Sequence, residues 1–116
     1  MRDLTGRQAF YLALAVAGLC LTWYHNLAFM RESGGRFDLA AFVAAAYANH
    51  AAASLAWDIT IACIAFLAWM LQEARRLGMR HAWAYVVLTF GVAFAFSAPL
   101  FLFMRERHLA ASRAPA

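Results

Sequence analysis

Residues 83–104 read WAYVVLTFGVAFAFSAPLFLFM. A helix that crosses a bilayer needs ~20 consecutive, mostly apolar residues, and this run supplies them, interrupted by Ser97 and Pro99. Proline removes a backbone donor and clashes with the preceding turn, so Pro99 predicts a kink near the far end. Working outward, two more runs have the same character. Ala9 to Met30 is apolar until Thr22, His25 and Asn26. Leu55 to Leu71 is apolar throughout except for Asp58 and Thr60, and extends backwards through AAAS at 51–54. The expectation is an all-α integral membrane protein forming one domain. Its three transmembrane helices fall at about 9–30, 52–72 and 82–104, and a polar tail at 105–116 follows them.

The connections differ. RESGGR at 31–36 is a turn, with Gly34 and Gly35 together. Asp38 then predicts an N-cap, and Leu39, Phe42, Val43 and Ala46 fall on one helical face. This segment, about 38–49, stands too close to the next run to cross a membrane separately. It is expected to be a short interfacial or re-entrant helix. A four-span arrangement would need 37–54 to cross, leaving almost no loop before Leu55. The second connection, QEARRLGMRHAW, places Arg75 and Arg76 in a last helical turn, where cations suit the dipole. Gly78 follows as C-cap, so the second and third runs read as an antiparallel hairpin.

Composition agrees with a membrane location. Of the 116 residues, 66% are hydrophobic and 14% charged, against about 25% charged in soluble domains. The formal charge is +4, and every basic residue other than histidine is arginine. The arginines cluster at the ends of apolar runs, which favours the lipid bilayer and its headgroups as partner over nucleic acid. Cys20 and Cys63 lie inside apolar runs and read as small buried residues rather than a disulfide framework. Arg2 and Arg7 precede the first run as in a signal peptide, but the run continues into Trp23 and Tyr24 without a small-residue cleavage site. It reads as a retained anchor.

Tyr11, Trp69, Trp83 and Tyr85 fall at one end of three straight spans, and Trp23, Tyr24, Tyr47 and Trp57 at the other, as two interfacial belts. The arginines divide five against five: Arg2, Arg7, Arg75, Arg76 and Arg80 against Arg31, Arg36, Arg105, Arg107 and Arg113. The dense RRLGMR loop tips the balance towards a cytoplasmic N-terminus. Alanines at 9, 13 and 17, and Gly91 with Ala95, form small-residue stripes suited to close helix packing within the chain or in a homo-oligomer.

Three straight spans bring polar residues from four segments to one depth. Thr22, Trp23, Tyr24, His25 and Asn26 close the first span. Tyr47, Asn49 and His50 end the shallow helix, Ser54, Trp57 and Asp58 open the second span, and Ser97 and Pro99 lie late in the third. His50, Ser54 and Asp58 are four apart and stack on one helical face. An acid here is shallow, yet it should face the bundle and find a partner. Two readings stand: Asp58 pins helices together through His25, Asn26, Tyr24 or Ser97, or it serves as an acid or ligand-orienting group in a pocket. The expected site is Asp58 as candidate catalytic acid, with His25, Asn26, Asn49, His50, Ser54, Trp57, Trp23, Tyr24, Phe96 and Ser97 around a ligand. The spacing of His and Cys carries no metal signature, and no cofactor motif is present. Glu73 with Arg76, three apart, reads as a surface pair.

The stretch WDITIACIAFLAWMLQEARRLGMRHAWAY, followed by FSAPLFLFMRER, resembles a family of small bacterial and cyanobacterial integral membrane proteins catalogued as a domain of unknown function. The shared features are an acid opening the second span, the E-x-R-R-L-G-M loop and the S-x-P-L-F-L-x-x-R-E-R ending. They correspond to Asp58, Glu73, Arg75 to Met79, and Ser97 to Arg107. Relatives often carry Asn-Pro before the second span, where this chain has Asn49-His50. The resemblance implies a multi-pass protein of the bacterial cytoplasmic membrane, and no activity.

A more distant resemblance, to ascofuranone-type membrane-bound terpene cyclases, implies an epoxy-prenyl cyclase or isomerase. In it Asp58 would be the general acid, and Trp23, Trp57 and Phe96 would face carbocations. The leading reading is an accessory or scaffold subunit, or a binder of a prenyl lipid, other lipid or pigment, within a homo-oligomer or larger membrane complex. The cyclase is its alternative, and a small-solute transport subunit is a weaker one.

Overall fold

A computed structural model describes residues 4–113, and all the secondary structure in them is helical. Arg2 and tail residues 114–116 lie outside the described residues. The first helix, α1 (Gly6–Glu32), starts where Thr5 Oγ1 accepts the Gln8 N–H at 3.1 Å. It stops where Gly34 and Gly35 adopt positive φ and the Gly35 N–H reaches back to the Met30 carbonyl (2.8 Å), a conformation glycine adopts without steric cost. The short α2 (Leu39–Ala46) is capped by Asp38, whose Oδ1 accepts the Ala41 N–H. Asn49 caps α3 (His50–Leu77) by accepting the Ala52 N–H at 2.8 Å. Gly78 ends α3 in the left-handed conformation at φ 71°. Asp38 and Gly78 cap as the sequence predicts, and Thr5 and Asn49 are caps it does not announce.

The helices α1 and α3, of 27 and 28 residues, are each about 40 Å long at 1.5 Å per residue. Both are long and apolar enough to cross a membrane. The core helix of a soluble protein would hide such residues. Here Leu14, Val16, Leu21, Leu55, Ile61 and Ile64 are exposed, as on helices that face lipid tails.

The third run is not a third span. It divides into α4 (Ala82–Gly91) and α5 (Phe94–Arg113), and the chain reverses between them. The Thr89 and Ser97 hydroxyls meet at 2.6 Å, and the Tyr85 and Phe101 rings pack edge to face at 5.3 Å. These pairs run in opposite directions along the chain, so α4 and α5 are antiparallel. At the turn the Val92 and Ala93 N–H groups both bond the Leu88 carbonyl, closing α4, and the Ser97 N–H bonds the Ala93 carbonyl, opening α5. The expected three-span bundle is therefore corrected to two long helices and a helical hairpin. A two-residue turn of Val92 and Ala93 needs no polar loop, so the apolar run hid it. Pro99 marks no far end. It sits within α5, near the turn. Residues 105–113, expected as polar tail, continue α5.

Taking the start of α1 as the lower end, contacts give the directions. Against α5, α1 runs antiparallel: Arg7 meets Glu106, Gly18 meets Ala95, and Trp23 Nε1 donates to the Val92 carbonyl at 2.9 Å. In contrast, α3 runs parallel to α5, pairing Phe66 with Phe94, Trp69 with Phe101, Glu73 with Arg105, and Leu77 with His108. The hairpin thus enters from the lower end, turns at the level of Trp23, and returns. Its base holds the core: Met70, Ala74 and Phe101 are buried, surrounded by Phe66, Leu67, Met79, Ala82, Tyr85, Val86 and Leu102.

Candidate functional site

Because the hairpin stops part-way, the upper halves of α1 and α3 have no third long helix between them. The space above the tip is a partly enclosed cavity of about 870 Å³. Its wall on α1 is Thr22, Trp23, Asn26, Leu27 and Met30. Phe37, Leu39 and Phe42 close it from the α2 segment, and Ile59 comes from α3. Its floor is the tip, Phe90 to Ala95. Phe42 is held by an edge-to-face contact with Phe29 at 5.4 Å, which ties the α2 cover to α1. No lining residue carries a charge. The Thr22 hydroxyl donates to the Gly18 carbonyl at 2.7 Å, and the Trp23 indole N–H is committed to Val92. Open to a ligand are the half-buried Asn26 amide, which has no hydrogen-bond partner among the described residues, the last carbonyls of α4, at Phe90 and Gly91, and the first N–H groups of α5, at Phe94 and Ala95. Opening a helix, these lack intrahelical acceptors.

The residues expected in one polar layer separate. Trp23 and Asn26 line the cavity, and His25 lines a shallower depression of about 520 Å³ next to it, with Thr22, Asn26 and Phe42 common to both. Tyr24 is exposed, with its ring edge-on to His25 at 5.1 Å. Phe96 is half-buried on α5. Ser97 is buried beneath the tip. Since the Thr89 hydroxyl donates to the Tyr85 carbonyl at 2.8 Å, Ser97 is the donor in the short Thr89 pair. Asn49 is the cap of α3, and Trp57 packs edge-on to Tyr47 at 6.1 Å. His50, Ser54 and Asp58 share one exposed face of α3, opposite the face through Cys63, Leu67, Met70 and Ala74 that meets the bundle. Asp58 has no hydrogen bond or ion pair among the described residues. Its neighbour Ile59 reaches the cavity, and Asp58 does not.

The lower end holds a feature that the sequence presents only as a surface pair. Glu73 is buried, with Oε1 accepting from Arg76 Nε at 2.6 Å. Its Oε2 accepts from Arg105 Nε and Nη2 at 3.2 and 3.0 Å. Arg105 also donates to Glu106 at 3.3 Å and lies over the Trp69 ring at 5.7 Å. His108 Nε2 donates to the Leu77 carbonyl at 2.7 Å. The signal was present in the two charged motifs, EARR and MRER, but only the reversal at Val92 brings them together.

The family model described as "Protein of unknown function DUF2834" matches residues 10–107. The chain belongs to this family. The DUF2834 region takes in α2, α3 and α4, most of α1 and α5, the whole cavity lining, the hairpin tip and the Glu73–Arg105 bridge, and it ends at Arg107. No curated protein and no solved structure matches the chain.

Proposed function

We propose that this DUF2834 protein is a two-span membrane protein that holds an apolar, uncharged ligand above its hairpin tip. The carrying observation is the cavity itself, of about 870 Å³ and lined without a charged residue, in the size range of small-molecule sites. The free polar groups at its wall and floor include donors, the Asn26 amide and the Phe94 and Ala95 N–H groups. They suit a lipid-like molecule bearing a carbonyl or ether oxygen, such as a prenyl lipid or a pigment. A charged headgroup would find no counter-ion there and would remain unpaired at low dielectric. Asp58 as general acid gains no support from this geometry, since it faces away from the cavity.

Native mass spectrometry in mild detergent tests this reading. Wild-type protein should retain an apolar ligand, and Ile59→Trp, which fills the cavity from α3 without touching the tip, should lower retention about tenfold or more, equivalent to ~1.4 kcal/mol. Asp58→Asn should retain the ligand as wild type does. Equal retention by Ile59→Trp would remove the cavity from consideration, and loss in Asp58→Asn alone would return the site to the outer face of α3.

The arginine distribution supports an orientation for this reading. With α5 returning to the lower end, Arg7, Arg75, Arg76, Arg80, Arg105 and Arg107 gather there, against Arg31 and Arg36 above. Positive residues concentrate on the cytoplasmic side, so both chain ends lie in the cytoplasm. Reporter fusions at the N- and C-termini should both read cytoplasmic. Three straight spans would place them on opposite sides, so one cytoplasmic and one external reporter would overturn the hairpin topology.

A further inference from the structure

We propose that the lower end is a binding surface for the headgroups of anionic phospholipids. Four segments converge there: the start of α1, the end of α3, the 78–81 connection and residues 105–113 of α5. The links are Arg7 to Glu106 at 3.6 Å, Arg105 to Glu73, and His108 to the Leu77 carbonyl. Within residues 4–112, six arginines at this end face two carboxylates, Glu73 and Glu106, an excess of four positive charges. At the upper end Arg31 and Arg36 are balanced by Glu32 and Asp38. Both lower carboxylates are used internally, on Arg76 and Arg105 and on Arg105 and Arg7.

Arg75 and Arg80 are left exposed, without an ion-pair partner among the described residues, and Arg107 lies over the Phe103 ring at 5.9 Å. Arg7 and Arg76 are themselves two-thirds exposed, at 68% and 66%, so much of each guanidinium still faces outward.

Depth decides the partner. Trp69 and Trp83 are exposed beside this collar, the position that amphipathic rings take at the headgroup level. Guanidinium groups held at that level meet phosphate, which they bind bidentately. A soluble polyanion would have to enter the headgroup layer to reach them. The surface rests on the two-span placement and is independent of the cavity.

The test uses full-length protein in a neutral detergent, titrated with phosphatidylglycerol or phosphatidylcholine and followed by native mass spectrometry. Wild type should bind phosphatidylglycerol preferentially, and the preference should weaken as salt rises. The triple variant Arg75→Gln/Arg80→Gln/Arg107→Gln removes no ion pair of the fold and should bind it about 100-fold more weakly, roughly fivefold per arginine. Arg31→Gln/Arg36→Gln should bind as wild type. Arg80→Gln alone, in the connection outside the helices, gives a fivefold readout if the triple variant fails to fold. Equal binding of both lipids, undiminished binding by the triple variant, or displacement of the lipid by millimolar inorganic phosphate would each overturn the proposal. The reporter fusions separate this outcome from a failure of the two-span placement itself.

Discussion

Gly18→Leu is expected to part α1 from α5 and to be the most damaging single substitution where α1 meets the hairpin. A Cβ placed on Gly18 runs into the carbonyl oxygen of Ala95, which is backbone and has no rotamer to move into. The reason the helices come so close lies four residues further on. Pro99 has no N–H, so the Ala95 carbonyl lacks its normal helical donor. The bare α-carbon of Gly18 packs against that carbonyl, a contact in which Cα–H groups act as weak donors. Overpacking a filled contact costs ~1–3 kcal/mol or more, and Leu also brings a branched side chain.

Gly18→Ala discriminates between explanations. Alanine gains up to ~1 kcal/mol over glycine in a helix, so if the contact were unimportant this variant would be more stable than wild type. A net loss in thermal or denaturant unfolding in detergent shows that the close approach wins. Gly91→Ala is the control, because nothing lies within 4 Å of a Cβ there. It should be neutral or stabilising. Gly18→Leu with wild-type stability would mean that α1 and α5 do not meet at this crossing.

The same region explains how far the sequence could be read. Asp38 and Gly78 were legible as caps because each acts within one turn of its own helix, and both act as expected. The two long helices were legible because their apolar length is unbroken. The reversal at Val92 was not, because hydropathy measures apolar length and says nothing of direction. The bond from Trp23 to the Val92 carbonyl, which ties the reversal to α1, joins residues far apart in the chain. Once α5 is read as continuing outward, the rest follows wrongly: Arg105 and Arg107 go to the opposite side, the arginine balance falls even, and Ser97 is placed beside Asp58. In the fold, Ser97 faces Thr89 eight residues earlier, a pairing that a hairpin makes and a straight helix does not. Trp23 and Asn26, expected near one another from their late position in α1, both line the cavity. Its floor was not legible, since it exists only once the chain reverses at Val92.

Glu73→Ala is expected to release α5 from α3 at the lower end. Among the described residues Glu73 is the acid that holds arginines from both α3 and α5, and the bond from His108 to Leu77 lies one turn beyond it. Removing the carboxylate leaves Arg105, whose side chain is 21% exposed, with only Glu106 and the Trp69 face. A partly buried charge deprived of its main partner destabilises more than the intact pair stabilises. Residues 105–113 should therefore detach first, as a local opening rather than a global one. Trypsin, which cuts after arginine, reads this directly: cleavage at Arg105 and Arg107 should quicken about tenfold if the open form becomes that much more populated.

Glu73→Gln keeps one acceptor oxygen and should fall between alanine and wild type. The double variant Glu73→Ala/Arg105→Met is the decisive arm. If the harm of Glu73→Ala comes from the stranded guanidinium, replacing it with an apolar chain of similar length should recover much of the protection, and the two changes will be strongly non-additive. If Glu73 acts only through Arg76 within α3, the double variant will show the simple sum, and α5 will be seen to depend on the packing of Phe101 rather than on the bridge.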